Sequence, residues 1–300
     1  MIQDEESIDA MLKPLTVTEF GLLDTFMKRY PSENCDFNVC VLLSWGVFFK
    51  LEYAVYHGRL VLFNPYYSYL LAPIGERLTA GELFRLNNCC KRIHKDVEIM
   101  VVSEDYVKST PNIDEFFTIY NDENWNDYVY LAESLVTLSG KKLAKKKNLI
   151  SQFKALYPDY VMCPIEQSDF AEIMGFCHYW KQTYVDVDHS IEIEFAAIEN
   201  TMKSWDLFPC RGLKLYVQDR LCAFSIFSPQ TQEMATVHFE KYDPNIKGAG
   251  QVINNETAKI LAKDFKYINR EQDMGIPGIR QAKRSYQPIK TIPYYRLKSK

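Results

Sequence analysis

The clearest alternation of apolar and polar positions lies in the second half of the chain. Leu143, Ile150, Phe153 and Tyr157 recur at helical spacing, and Pro158 ends the helix they predict. A short strand is expected over Tyr160 to Pro164. Two helices follow, about Gln167 to Thr183 with Phe170, Ile173, Met174 and Cys177 on one face, and about Ile191 to Trp205. The period then changes to two. Leu213 to Val217 and Leu221 to Phe227 flank Gln218-Asp219-Arg220, a hairpin signal, and Met234 to Tyr242 alternates as a third strand. The turn-rich loop Asp243 to Gly250 leads into a helix over Gln251 to Lys263. A strand at 267–270, a helix from Pro277 and a last strand from Ile292 to Leu297 complete the order β-α-α-β-β-β-α-β-α-β.

The first half repeats that order less cleanly. Helices are expected at Glu19 to Tyr30, Phe37 to about Leu43, Ala80 to Ile93 and Ile113 to Tyr120. Strands are expected at Phe48 to Tyr56, Leu60 to Phe63, Tyr67 to Leu71, Val97 to Val102 and Tyr128 to Leu131. The chain therefore reads as a tandem of two α/β (α+β) units, each a mixed sheet flanked by helices, spanning 1–138 and 139–300 with the boundary near Leu138-Ser-Gly140.

Charge divides along the same line. Residues 1–138 carry 11 basic and 21 acidic side chains, and residues 139–300 carry 24 and 18, against a net charge of −4 for the chain. A basic second half suits a phosphate, a nucleic acid or a lipid headgroup, and the acidic first half argues against coating DNA. The acidic start, Met1-Ile-Gln-Asp-Glu-Glu-Ser, is no signal peptide, and the apolar run Val39 to Phe49 is too short to span a bilayer. A cytoplasmic location is expected. The eight cysteines show no Cys-x-x-Cys pair, so neither disulfides nor a metal site is expected.

Four groups of residues carry candidate chemistry. Glu271 and Asp273 stand together at a strand end, in a segment (267–300) with eight Lys/Arg and two Asp/Glu. Strand alternation would turn both into one cleft, with Arg280 approaching from the next helix. They would grip an ammonium group or act as base; the alternative is an ion pair with Arg280 or Lys283 that pins helix to sheet. His238 and Glu240 would share one face of the third strand as base and orienter, followed by Lys241 and Asp243; the alternative is a histidine satisfied by a neighbouring carboxylate. The loop Asn245-Ile-Lys247-Gly248-Ala-Gly250 before a helix reads as an anion cradle or as a plain glycine turn. The first half has no matching Gly-x-Gly and is expected to be the non-catalytic copy. The lysine run 141–147 is either a phosphate contact or a solvated helix face. Tyr179, Trp180 and Tyr184 are either an acceptor pocket or core.

The segments Asp127-Tyr-Val-Tyr, Leu138-Ser-Gly-Lys-Lys-Leu-Ala-Lys-Lys-Lys-Asn148, His238-Phe-Glu-Lys241 and Asn269-Arg-Glu-Gln-Asp-Met-Gly-Ile-Pro-Gly-Ile-Arg-Gln-Ala-Lys283 together resemble a bacterial family. That family is similar to the C-terminal domain of phosphatidylglycerol lysyltransferase. The resemblance implies tandem Gcn5-related N-acetyltransferase folds, related to the Fem-type aminoacyl transferases. Such relatives take an aminoacyl group from an aminoacyl-tRNA and do not use coenzyme A. The Gcn5-related pyrophosphate pattern, Gln/Arg-x-x-Gly-x-Gly/Ala, has Asn245 in its first position here. The multi-helix membrane domain of the lipid-modifying enzymes is not found within these residues.

The expected activity is therefore acyl transfer, with aminoacyl-tRNA as co-substrate. The acceptor is an amine or hydroxyl on a small molecule, a peptide or a lipid headgroup. Glu271, Asp273, His238 and Glu240 are the catalytic candidates. Arg280, Lys283, Lys241 and Asn269 are the substrate-binding candidates, and Lys247, Gly248 and Gly250 the anion-binding ones. Two alternatives stay open: an acetyl-coenzyme A-dependent N-acetyltransferase, and a non-catalytic binding module on the same fold.

Overall fold

The computed structural model describes residues 8–90, 97–183 and 190–300. In chain order the elements are α1 (Ile8–Met11), β1 (Lys13–Pro14), α2 (Phe20–Arg29), α3 (Val39–Phe48), β2 (Glu52–Tyr56), β3 (Arg59–Asn64), β4 (Tyr69–Leu71), α4 (Ala80–Cys90), β5 (Glu98–Val102), α5 (Glu104–Ser109), α6 (Ile113–Phe116) and β6 (Phe117–Asn121). There follow β7 (Asp127–Leu131), α7 (Ala132–Thr137), α8 (Ala144–Leu156), β8 (Val161–Pro164), α9 (Phe170–Thr183), α10 (Ser190–Lys203), β9 (Arg211–Val217), β10 (Arg220–Pro229), β11 (Met234–Tyr242), α11 (Ala249–Leu261), β12 (Tyr267–Asn269), α12 (Pro277–Arg284), β13 (Lys290–Ile292) and β14 (Tyr295–Ser299).

The strands form two seven-stranded mixed sheets, ordered β1-β2-β3-β4-β5-β14-β6 and β13-β7-β12-β11-β10-β9-β8. Each belongs to its own compact unit. One holds the chain up to Asn126 together with Pro293–Lys300, and the other holds Asp127–Ile292. The structure thus places the division ahead of the expected Leu138. Tyr128 to Leu131 pairs with β12 and β13 of the second sheet, and the end of the chain returns to the first. Pro293 explains the second point. It has no N–H to give a ladder, so the single strand expected from Ile292 to Leu297 is two strands on two sheets.

Local rules account for most elements. In the first unit α3 is apolar on all sides and is buried accordingly, with Asn38 capping its start by accepting from the Cys40 N–H at 2.9 Å. Its end at Phe48 shortens the strand expected from that residue. The segment Ile113 to Tyr120, expected to be helical, turns after Phe116 into β6. Its Phe-Thr-Ile-Tyr run pairs with β14, and that pairing overrides the helical spacing. The helix at Ala80 runs to Cys90; the continuation expected to Ile93 lies outside the described residues. Val61, Phe63, Leu70, Ile99 and Leu297 form the heart of this unit's core.

In the second unit Gln218 and Asp219 both take positive φ, at 51° and 59°, which is the backbone a two-residue hairpin needs. The core gathers Tyr130, Phe153, Leu215, Phe227, Val252 and Ile268 between the sheet and helices α7, α8 and α11. Among the described residues no helix is long and apolar enough to cross a membrane.

Candidate functional site

The second sheet opens between β11 and β12. β12 runs parallel to β11 only from Met234 to Thr236, opposite Tyr267 to Asn269. β11 continues to Tyr242, paired with β10 alone. The ladder between them skips one residue: Phe239 faces Ile226 and Val237 faces Phe227, leaving His238 as the extra residue of a bulge.

That bulge breaks the alternation on which a shared face for His238 and Glu240 rested. His238 instead meets Glu271 through Nδ1 at 3.1 Å, and its Nε2 lies 2.7 Å from the Ser228 hydroxyl. Only 2% of the His238 side chain is exposed. Glu240 accepts from Arg270 at 2.6 Å and from Asn254 at 3.2 Å, so its partner is a guanidinium rather than the imidazole. The two pairs, His238–Glu271 and Glu240–Arg270, bridge β11 to the chain that leaves β12.

Glu271 and Asp273 do not share a face either. The strand ends at Asn269, and Glu271 is left-handed, with φ 57°. Asn269 is buried. Its Oδ1 accepts the Glu271 N–H at 2.7 Å, while its amide donates to Asp127 at 2.8 Å, so it shapes the turn. Asp273 is fully buried and accepts four hydrogen bonds. Arg280 grips it twice, at 2.7 and 2.8 Å, the Tyr128 hydroxyl donates at 2.6 Å and the Gly275 N–H at 2.8 Å. Burial alone would raise its pKa, but these donors hold the carboxyl at about 2. With its acceptor positions taken, Asp273 ties α12 to β7. Lys283 extends the clasp by donating to the carbonyl oxygens of Arg270 and Glu271.

Lys241 is nearly buried. It pairs with Glu194 at 2.8 Å and lies 4.4 Å from the Trp180 ring centroid. Trp180, Glu240, Lys241, Tyr242 and Pro244 line a depression beside β11. Tyr179 donates to the buried Asp243, which Arg220 also holds at 3.0 Å. Tyr184 lies outside the described residues.

The glycine loop is packed rather than open. Lys247 is exposed, but Gly248 takes φ 90°, and a Cβ there would come within 2.7 Å of the Leu149 carbonyl and 2.9 Å of Phe153. A Cβ on Gly250 would meet the Tyr242 ring at 2.7 Å. Both glycines are spent on close contact with α8 and with Tyr242. The Ala249 and Val252 N–H groups are already taken by Ile246 and Gly248 carbonyls.

Sequence reasoning missed Ser228, Arg270 and Tyr128 as parts of this site. Arg270 stands beside Glu271 and was open to notice. Ser228 has no sequence signal, because its contact with His238 exists only through the bulge.

Residues 51–298 match the family model described as phosphatidylglycerol lysyltransferase, C-terminal. A conserved protein of unknown function from Bacteroides thetaiotaomicron is 29% identical, with a TM-score of 0.89 over 96% of this chain and 99% of that one. The L-PGS structure from Bacillus licheniformis aligns with a TM-score of 0.63 at 12% identity, covering 93% of this chain and 91% of that one. FemX aligns with a TM-score of 0.58 at 8% identity, covering 95% and 96%. The latter two share the tandem Gcn5-related fold with this chain.

Proposed function

We propose that this chain, which belongs to the phosphatidylglycerol lysyltransferase C-terminal family, moves an aminoacyl group from an aminoacyl-tRNA to an amine or hydroxyl acceptor. Aminoacyl transfer is the chemistry of the family; the donor and the acceptor are the proposal. The observation that carries it is the opening beyond Thr236 and Asn269, where titratable side chains gather at the free edge of β11. The acceptor nucleophile attacks the ester carbonyl and loses its proton, and the ribose oxygen leaves and takes one up. His238 suits the proton transfer. Glu271 holds Nδ1 as the protonated nitrogen, so Nε2 carries the lone pair that now accepts from Ser228. A nucleophile in the place of that hydroxyl would give its proton to Nε2. The acceptor is a small molecule, a peptide amine or a lipid headgroup.

The acetyl-coenzyme A reading is the less favoured one, because Asn245 stands in the first position of the pyrophosphate pattern and Gly248 and Gly250 pack closely on α8 and Tyr242. The test is a transfer assay with tRNA charged with a mixture of labelled amino acids. The chain is incubated with and without phosphatidylglycerol vesicles and free amines, and label leaving the RNA is followed against spontaneous hydrolysis. Label should pass to one acceptor class, and Glu271→Gln should slow the passage at least tenfold. Acetyl-coenzyme A turnover without aminoacyl transfer would overturn the proposal. Binding of charged tRNA without turnover would leave the module reading standing in its place.

A further inference from the structure

Helix α8 begins against electrostatic expectation. Helix N-termini favour Asp and Glu, because the unpaired amides there amount to a partial positive charge. Here Lys141, Lys142, Lys145, Lys146 and Lys147 crowd that pole, no acid stands in the first turn, and no side chain caps it. Among the described residues no carboxylate forms an ion pair with any of the five. Lys154, about two turns further on, does have one, with Glu256 at 3.7 Å. Like charges gathered at a like pole cost stability, and an arrangement that costs stability calls for a ligand of opposite sign.

Lys146 differs from the other four, which are exposed. It is half-buried, with its ammonium 4.3 Å from the ring centroid of the buried Tyr286. The Arg270 guanidinium lies 5.6 Å from the same centroid. Glu240 neutralises Arg270, whereas among the described residues no carboxylate pairs with Lys146, whose proton affinity is lowered by burial and by Arg270 and Lys145. The lysine cluster therefore leads inward, through Lys146 and Tyr286, to the Arg270–Glu240 pair of the candidate site.

We infer that the lysine-rich start of α8 docks the phosphate backbone of RNA at the acceptor end of a tRNA, with Lys146 as its innermost contact. This rests on the aminoacyl-tRNA reading given above. The neighbouring surface favours RNA over a bilayer. Of the exposed residues on the helix besides those lysines, Asn148, Ser151, Gln152 and Lys154 are polar, Ala144 and Ala155 are small, and the large aliphatic Leu156 lies at the far end. A membrane-surface helix would set apolar residues beside its lysines.

The test is fluorescence anisotropy of a labelled RNA hairpin ending in CCA, titrated with the chain across a salt series. The variants are Lys141→Gln, Lys142→Gln, Lys145→Gln and Lys147→Gln combined, and Lys146→Gln alone. Wild type should bind with affinity that falls steeply with salt. The combined variant should lose about three units of the log–log salt slope, as expected for four phosphate contacts. Lys146→Gln should weaken binding about tenfold. Relief of charge at the helix pole should raise the melting temperature of the combined variant by roughly 2–4 °C, which excludes misfolding as the cause of lost binding. An unchanged salt slope in the combined variant would overturn the inference, as would lysine-dependent binding of phosphatidylglycerol vesicles in place of RNA. The two readings fail separately. Lysine-dependent RNA binding without transfer keeps the docking surface and removes the proposed function. Transfer that ignores the lysines does the reverse.

Discussion

At the scale of the residue, Asp273 shows how little a residue type says about its task. Its carboxylate in a basic segment invites a substrate role, yet four protein donors fill its acceptor positions. Its folded pKa of about 2 lies below the ordinary value of about 3.9 for aspartate. The stabilisation it gives is therefore complete above about pH 4 and is lost as the pH falls from about 4 to about 2, amounting to roughly 2 kcal/mol. Thermal melts of the wild type between pH 5 and pH 2 should show this loss. Asp273→Asn should melt earlier by about 4–8 °C at pH 7, since it leaves Arg280 without its bidentate partner, and should show a flatter acid limb. The same variant, assayed cold, should keep its turnover. Turnover abolished at an unchanged melting temperature would return Asp273 to the substrate. The identities of Glu271, Asp273 and His238 were legible in the sequence. Their partners were not, because a bulge at His238 and a left-handed Glu271 each reset the face on which a side chain emerges.

At the scale of the element, the loop before α11 was legible as a glycine turn at a helix start, and the structure decides what the glycines are for. Gly248→Val places a β-branched residue at φ 90° against a carbonyl oxygen of α8. Neither the backbone nor Leu149 can yield cheaply, so the substitution should cost about 1–3 kcal/mol and lower the melting temperature. A variant that folds as stably as the wild type but binds RNA or nucleotide less well would instead restore the anion cradle. Helix and strand periods read from the sequence located α8, α9, α10, α11 and the β9–β10–β11 meander within a few residues. They failed at Ile113 to Tyr120 because its strand is made by a partner from the far end of the chain, which no local window contains.

At the scale of the whole molecule, two strands decide what can fold alone. β14 lies between β5 and β6 in the first sheet, and β7 lies between β13 and β12 in the second. A chain ending at Ile292 should therefore leave residues up to Asn126 open to protease, while Asp127–Ile292 stays resistant. A fragment of 127–292 should melt cooperatively. A fragment of 139–300, cut where the sequence suggested, should not, because without β7 both β12 and β13 lose a neighbour. Limited proteolysis and thermal melts check both; a cooperative melt from 139–300 would show that β7 is dispensable. The sequence by itself determined the two mixed α/β units, the order of elements from β8 to α12, the family and the charge of the second half, because periodicity, turn chemistry and composition are local or additive properties. Only the tertiary structure decided where one unit ends, which carboxylate meets His238, and that Asp273, Gly248 and Gly250 are committed to packing. Most of those outcomes depend on contacts between elements far apart in the chain, such as Tyr128 with Asp273 and Gly248 with α8, or on one inserted residue in a ladder, and such contacts are set by the burial of whole faces rather than by any stretch of chain read alone.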